Sequence, residues 1–147
     1  MATTRPGHDA GIRAARARLG VADDVEAEAL VLHHLDPPAH ESLFVVFGPA
    51  DRAIGVALVD ASTGALEASA KLPGTGRALP VDAGAARAIA GADQAADVRL
   101  AWRPSRASMS PMLPLWEVRA GDADPVYIDQ HGRTWTAAQL TTPGAPG

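Results

Sequence analysis

The sequence predicts an α+β fold made of two similar halves, each a short helix followed by antiparallel strands. A helix-period segment followed by β-rich runs occurs twice along the chain. The stretch Pro73-Gly74-Thr75-Gly76 separates the two series, and an Asp-turn-Gly pattern ends a strand in each. The expected class is therefore α+β with two α-β-β-β(-β) units, whose antiparallel sheets pack on short helices. The expected divisions are a flexible arm at 1–7, a first unit at 8–72, a linker at 73–80, a second unit at 81–140 and a flexible tail at 141–147.

In the first unit, residues 8–20 read as a helix. Ile12, Ala15 and Leu19 share one face, Asp9 is placed to cap and Gly20 to stop it. A strand follows at 30–34, ended by Asp36-Pro37-Pro38. The run Ser42-Leu43-Phe44-Val45-Val46-Phe47 is rich in β-branched and aromatic residues and reads as the strongest strand. After the turn composition Gly48-Pro49-Ala50-Asp51 come strands at 54–60 and 66–72, joined through Gly64. In the second unit a helix at 81–91 has Asp82 as its cap. Strands follow at 98–102, 115–118, 126–129 and 134–140.

Composition narrows the function classes. With 47% hydrophobic and 20% charged residues the chain is globular in composition, and with only 4% aromatics its core rests mainly on Ala, Val and Leu. Thirteen basic against seventeen acidic residues give a net charge of -4, which argues against a nucleic-acid partner. The absence of cysteine excludes disulfides, thiolate metal sites and thiol catalysis. The start carries no apolar signal run and no stretch is long enough to span a bilayer, so a cytoplasmic location is expected.

The halves match in residues as well as in order. Leu43-Phe44-Val45-Val46 aligns with Leu115-Trp116-Glu117-Val118, and Leu58-Val59-Asp60 with Tyr127-Ile128-Asp129. Gly64 and Gly132 follow those aspartates, and each is followed eight positions later by a leucine, Leu72 and Leu140. Asp60, Gly64, Asp129 and Gly132 are thus assigned to turn structure: the carboxylate accepts from turn N–H groups and the glycine takes positive φ.

A small-residue helix, paired strands, then Asp, turn and Gly resemble the PepSY-like module, here in two tandem divergent copies. The resemblance is carried by Ala86, Ile89, Val98, Leu100, residues 114–118, Val126-Tyr127-Ile128-Asp129 and Gly132. In the first half it is carried by residues 43–47 and 56–60 with Gly64. It implies a non-catalytic binding or inhibitory element of the kind found in peptidase propeptides and extracytoplasmic proteins. The chain departs from the family in lacking a visible secretion signal and in its long insertion at 103–114.

That insertion is the least ordinary segment. Pro104, Pro111 and Pro114 stiffen it, and Met109, Met112 and Leu113 put apolar groups in a connection. Either it caps the core or it is exposed to a partner. The partner-binding candidates are Trp102, Met109, Met112, Leu113, Leu115 and Trp116. Five histidines lack metal-ligand spacing, His33 and His34 point to opposite faces of a strand, and no metal or cofactor is expected. No catalytic constellation is found: Gly74-Thr75-Gly76 lacks a phosphate-loop continuation, and Ser108 and Ser110 lack a nucleophile elbow. The expected function is a non-enzymatic accessory protein of bacterial type that recognises a protein or peptide, as a chaperone, inhibitor or peptide-binding subunit; a purely structural, self-associating protein is a separate alternative. The alternative is a small cone-shaped α+β enzyme with an apolar pocket. Its first polar groups to test would be His34, Asp60, Tyr127 and Asp129, with Trp102, Trp116 and Trp135 lining the cavity.

Overall fold

Ile12, Ala15 and Leu19 recur at spacings of three and four, and the stripe they make is the buried face of α1 (Pro6–Leu19) in the computed structural model, which describes residues 6–141. The arm at 1–7 and the tail at 141–147 fall mostly outside the described residues, but Pro6 and Gly7 belong to α1. The remaining elements are β1 (Ala27–His34), β2 (Glu41–Phe47), β3 (Gly55–Asp60), β4 (Leu66–Lys71), α2 (Ala83–Ile89), β5 (Asp97–Trp102), β6 (Leu115–Arg119), β7 (Val126–Ile128), β8 (Thr134–Thr136) and α3 (Ala137–Thr141).

The α+β class holds. Two separate sheets do not form, because the eight strands follow one hydrogen-bonded order, β4-β3-β2-β1-β5-β6-β7-β8. The chain nonetheless divides into two compact units. The first takes residues up to Leu32 and His40–Ala78, and the second takes His33–Ala39 and the chain from Leu79 onward. The boundary thus falls inside β1, and the turn carrying Pro37 and Pro38 belongs to the second unit. Leu35 N donates to Trp102 O at 3.0 Å there.

In the first unit α1 packs across β3 and β4. Ala15 and Leu19 meet Leu43, Val45, Phe47, Ala57 and Val59, all buried. Arg16 closes the helix end from outside. Its guanidinium carbon lies 5.2 Å from the centre of the Phe47 ring, and its Nη1 donates to Ala22 O at 2.9 Å. Val21 N bonds Arg16 O and Gly20 N bonds Ala17 O, the paired bonds of a Schellman end with Gly20 at φ 67. The second unit repeats the device at α2: Ala92 N bonds Arg87 O, Gly91 N bonds Ala88 O, and Gly91 has φ 68. Asp82 caps the start of α2 by accepting from Ala85 N at 2.8 Å.

Strand register corrects the residue-level alignment of the halves. In β2–β3, Leu43 pairs with Val59 and Val45 with Ala57, and all four belong to the core beneath α1. In β6–β7, Trp116 pairs with Ile128 and Val118 with Val126. Val59 and Ile128 each immediately precede the turn aspartate, so Leu43 corresponds to Trp116 and Val45 to Val118. The alignment of Leu43 with Leu115 is out by one, a slip that would exchange the two faces of the strand. The leucine match fails too. Leu72 follows β4, whereas Leu140 lies on α3 and packs with Ala101, Leu115 and Tyr127.

The strand expected over 134–140 is cut short at Thr136. Thr136-Ala137-Ala138-Gln139 is a capping box: Thr136 Oγ1 accepts from Gln139 N at 3.1 Å, and Gln139 Oε1 accepts from Thr136 N at 2.8 Å. Propensity toward strand in Thr134-Trp135-Thr136 is overridden one residue later by a local helix start.

Candidate binding surfaces

The segment at 103–114 joins β5 to β6 and is organised by serines. Ser105 and Ser108 exchange backbone hydrogen bonds of 3.1 and 3.2 Å. The Ser108 hydroxyl, buried, accepts from Trp102 Nε1 at 3.1 Å and donates toward the carbonyls of Leu113 and Ser110, at 2.6 and 2.8 Å. Ser110 Oγ accepts from Met112 N at 3.1 Å, and Arg103 Nη2 reaches Asp36 Oδ1 at 2.9 Å at the base. Three prolines remove donors from this stretch, and serine hydroxyls answer the carbonyls that a ladder would otherwise have satisfied.

The two alternatives for this segment each hold for part of it. Its base caps the core, with Ala107 packed against the cluster of Ala101, Leu115 and Tyr127. Its apex faces water: Met109 is 83% exposed and Leu113 49%. Of the six candidates, Trp102 and Met112 are half-buried, whereas Leu115 and Trp116 are interior and have no surface to offer. Trp116 instead donates its indole N–H to Val81 O at 2.6 Å. Gln130 takes up the other side of Val81, accepting from its N–H at 2.9 Å while donating to Pro114 O at 3.0 Å. Ser105 and Gln130 carry no signal in the sequence, and Ser108, weighed there only as a nucleophile, serves instead as a hydrogen-bonding hub whose one hint is the density of serines among prolines.

A second surface lies at the other end of the β5–β6 hairpin, where Asp97 pairs with Arg119 and Arg99 with Glu117. These four side chains line an open hollow of about 270 Å3. Glu117 is 4% exposed, an uncommon place for a carboxylate unless it is compensated. Compensation comes from Arg99 Nε at 2.7 Å on Oε1 and from the Tyr127 hydroxyl, which donates to Oε2 at 2.8 Å. Arg119 Nη2 stands 4.0 Å from the same Oε1. Burial, then the bond to Glu117, pushes the Tyr127 phenol up to about 12.

The two turn aspartates work alike. Asp60 Oδ1 accepts from the N–H groups of Ser62 and Thr63, both at 2.8 Å, and from the Ser62 hydroxyl. These bonds, the Thr63 N–H first, hold its carboxyl down at about 2. Asp129 Oδ1 accepts from the N–H groups of His131 and Arg133, both at 2.9 Å, and Oδ2 from Trp135 Nε1 at 2.9 Å. In each turn the aspartate N–H bonds the carbonyl of the residue after the glycine, Ala65 or Arg133. Gly64 and Gly132 have φ 76 and 81, which a side chain would make costly.

These bonds engage both carboxylate oxygens of Asp129 and Oδ1 of Asp60. Tyr127 is held by Glu117, and His34 sets its ring edge-on to Trp102 at 6.2 Å. None of Trp102, Trp116 and Trp135 lines the hollow. His8 Nε2 lies 2.6 Å from Ala61 O. Among the described residues no group of three or more His, Asp or Glu is placed to hold a metal ion, and no helix is long and apolar enough to cross a membrane. No family model, curated protein or solved structure matches the chain.

Proposed function

We propose that this chain is a non-enzymatic accessory protein that recognises a protein or peptide partner through the apex of the 103–114 segment. The observation that carries the reading is Met109, 83% exposed and next in sequence to the buried Ser108 hub. A backbone already ordered as a turn loses little conformational entropy when a partner covers it, and methionine adapts to varied surfaces. The tandem PepSY-like resemblance supports the same reading, because that module binds or inhibits rather than catalyses. The two matching Asp-Gly turns and the two matching helix ends support the duplication on which the resemblance rests. A cytoplasmic location belongs to the same proposal.

Selection of a displayed random-peptide library on the intact protein tests it. The proposal expects enriched peptides that bind the wild type and lose at least about tenfold in affinity to the double variant M109S/L113S. Both sites are exposed, so that variant keeps its fold. Absence of enrichment, or enriched peptides that bind both proteins equally, would overturn the reading.

A further inference from the structure

The duplication supplies an internal control for the second surface. With Asp60 placed on Asp129 and Leu43 on Trp116, Glu117 occupies the place of Phe44, Arg119 that of Val46, and Tyr127 that of Leu58. The register agrees, since Phe44 pairs with Leu58 as Glu117 pairs with Tyr127. One copy therefore fills these positions with hydrocarbon, and the framework does not require polar groups there. The other copy buries a carboxylate at the floor of an open hollow and surrounds it with two arginines and a tyrosine. Replacing a buried ion pair by packed apolar groups is commonly neutral or stabilising, so stability alone gives no reason for the exchange.

The donors and charges point to a ligand class. Glu117 is satisfied by Arg99 Nε and Tyr127, which leaves both terminal nitrogens of Arg99 available. Arg119, 49% exposed, approaches the same carboxylate only at 4.0 Å. Guanidinium forks turned to a half-open hollow suit a carboxylate. Asp97 lies opposite Arg119 in register, and no ion pair joins the two among the described residues. The four charges sum to zero, which disfavours a dianion and matches a ligand that is itself neutral with separated charges. A volume of about 270 Å3 suits a molecule smaller than a typical drug.

We propose that the hollow on β5 and β6 binds a zwitterionic α-amino acid, with its carboxylate on Arg99 and Arg119 and its ammonium on Asp97. The site is independent of the 103–114 segment. Ala101 and Leu115 are the last pair before that segment, and Asp97 is four residues further along β5, roughly 13 Å away.

Amide chemical shifts of the full chain, titrated with the standard α-amino acids one at a time and with their methyl esters and N-acetyl derivatives, test the assignment. At least one free amino acid should give saturable shifts at residues 97–99 and 117–119. Its ester, which lacks the carboxylate, and its N-acetyl form, which lacks the ammonium, should each bind at least about tenfold more weakly. R119Q and D97N, both at exposed positions, should weaken binding similarly with unchanged thermal melting, while M109S/L113S leaves it intact. No saturation by about 10 mM would overturn the proposal, as would unchanged binding in R119Q or acetate binding as tightly as the amino acid.

Discussion

Asp60 and Asp129 hold equivalent turns but sit in different surroundings. Asp129 is 2% exposed and satisfies two backbone donors and the Trp135 indole, so truncating it leaves three donors without their acceptor. Asp129→Ala should destabilise the protein by about 3 kcal/mol in chemical denaturation. Asp60→Ala should cost less, because water replaces the lost acceptor. The folded Asp60 carboxyl titrates at about 2 against 3.8 ordinarily, so its contribution is complete above pH 3.8 and fades as pH falls through 2. Tyr127 is the only tyrosine in the chain, so the absorbance of its phenolate reports this site alone. Its midpoint should lie near pH 12 in the folded protein and near 10 in denaturant. The folded state holds that proton more tightly. Stability from this group is therefore intact below pH 10 and falls by up to about 1.4 kcal/mol per unit between 10 and 12. Tyr127→Phe should remove that alkaline loss.

At the scale of elements, α1 owes its place to a glycine that no periodicity marks. A Cβ at Gly11 would fall inside contact distance of the Gly64 carbonyl oxygen and of Val59 Cγ1. On an isolated helix Gly→Ala stabilises by about 1 kcal/mol, but here the sign should reverse. Gly11→Ala should lower stability by roughly 1–3 kcal/mol through displacement of α1 from β3. The loop has an equally specific support. Ser108→Ala removes the acceptor of the Trp102 indole and the donor to two carbonyls, and should cost about 1–2 kcal/mol while raising amide exchange over 105–113. Much of this level was legible in the chain. Apolar spacing marked α1, β-branched runs marked β2 and β3, and Asp82 marked the start of α2. The helix α3 was hidden because the strand-forming Thr134 and Trp135 run straight into the Thr136 that opens its capping box, although Thr136 and Gln139 at spacing three are its signature. The alignment slip between Leu43 and Leu115 arose because residue likeness, Phe44 against Trp116, outvoted the pleat. Pairing alone reveals which face a residue takes.

For the whole molecule, the order of elements was readable because a helix followed by four strands occurs in each part of the chain, with an Asp-Gly turn after the third strand in both. The chain's division inside β1 was not readable, since no composition change marks Leu32 from His33. Nor was the charged hollow, whose four residues come from two strands and converge only through register. Partner recognition through the apex rests on a difference between the two units: the second alone carries the segment at 103–114 with an exposed apolar apex. Its most direct test is an amide chemical-shift map of the entire chain with a peptide selected on it. Recognition through the apex predicts that the largest changes fall on residues 106–113 and on the Trp102 indole. Changes centred on β4, or on α1, with residues 106–113 unmoved, would contradict it.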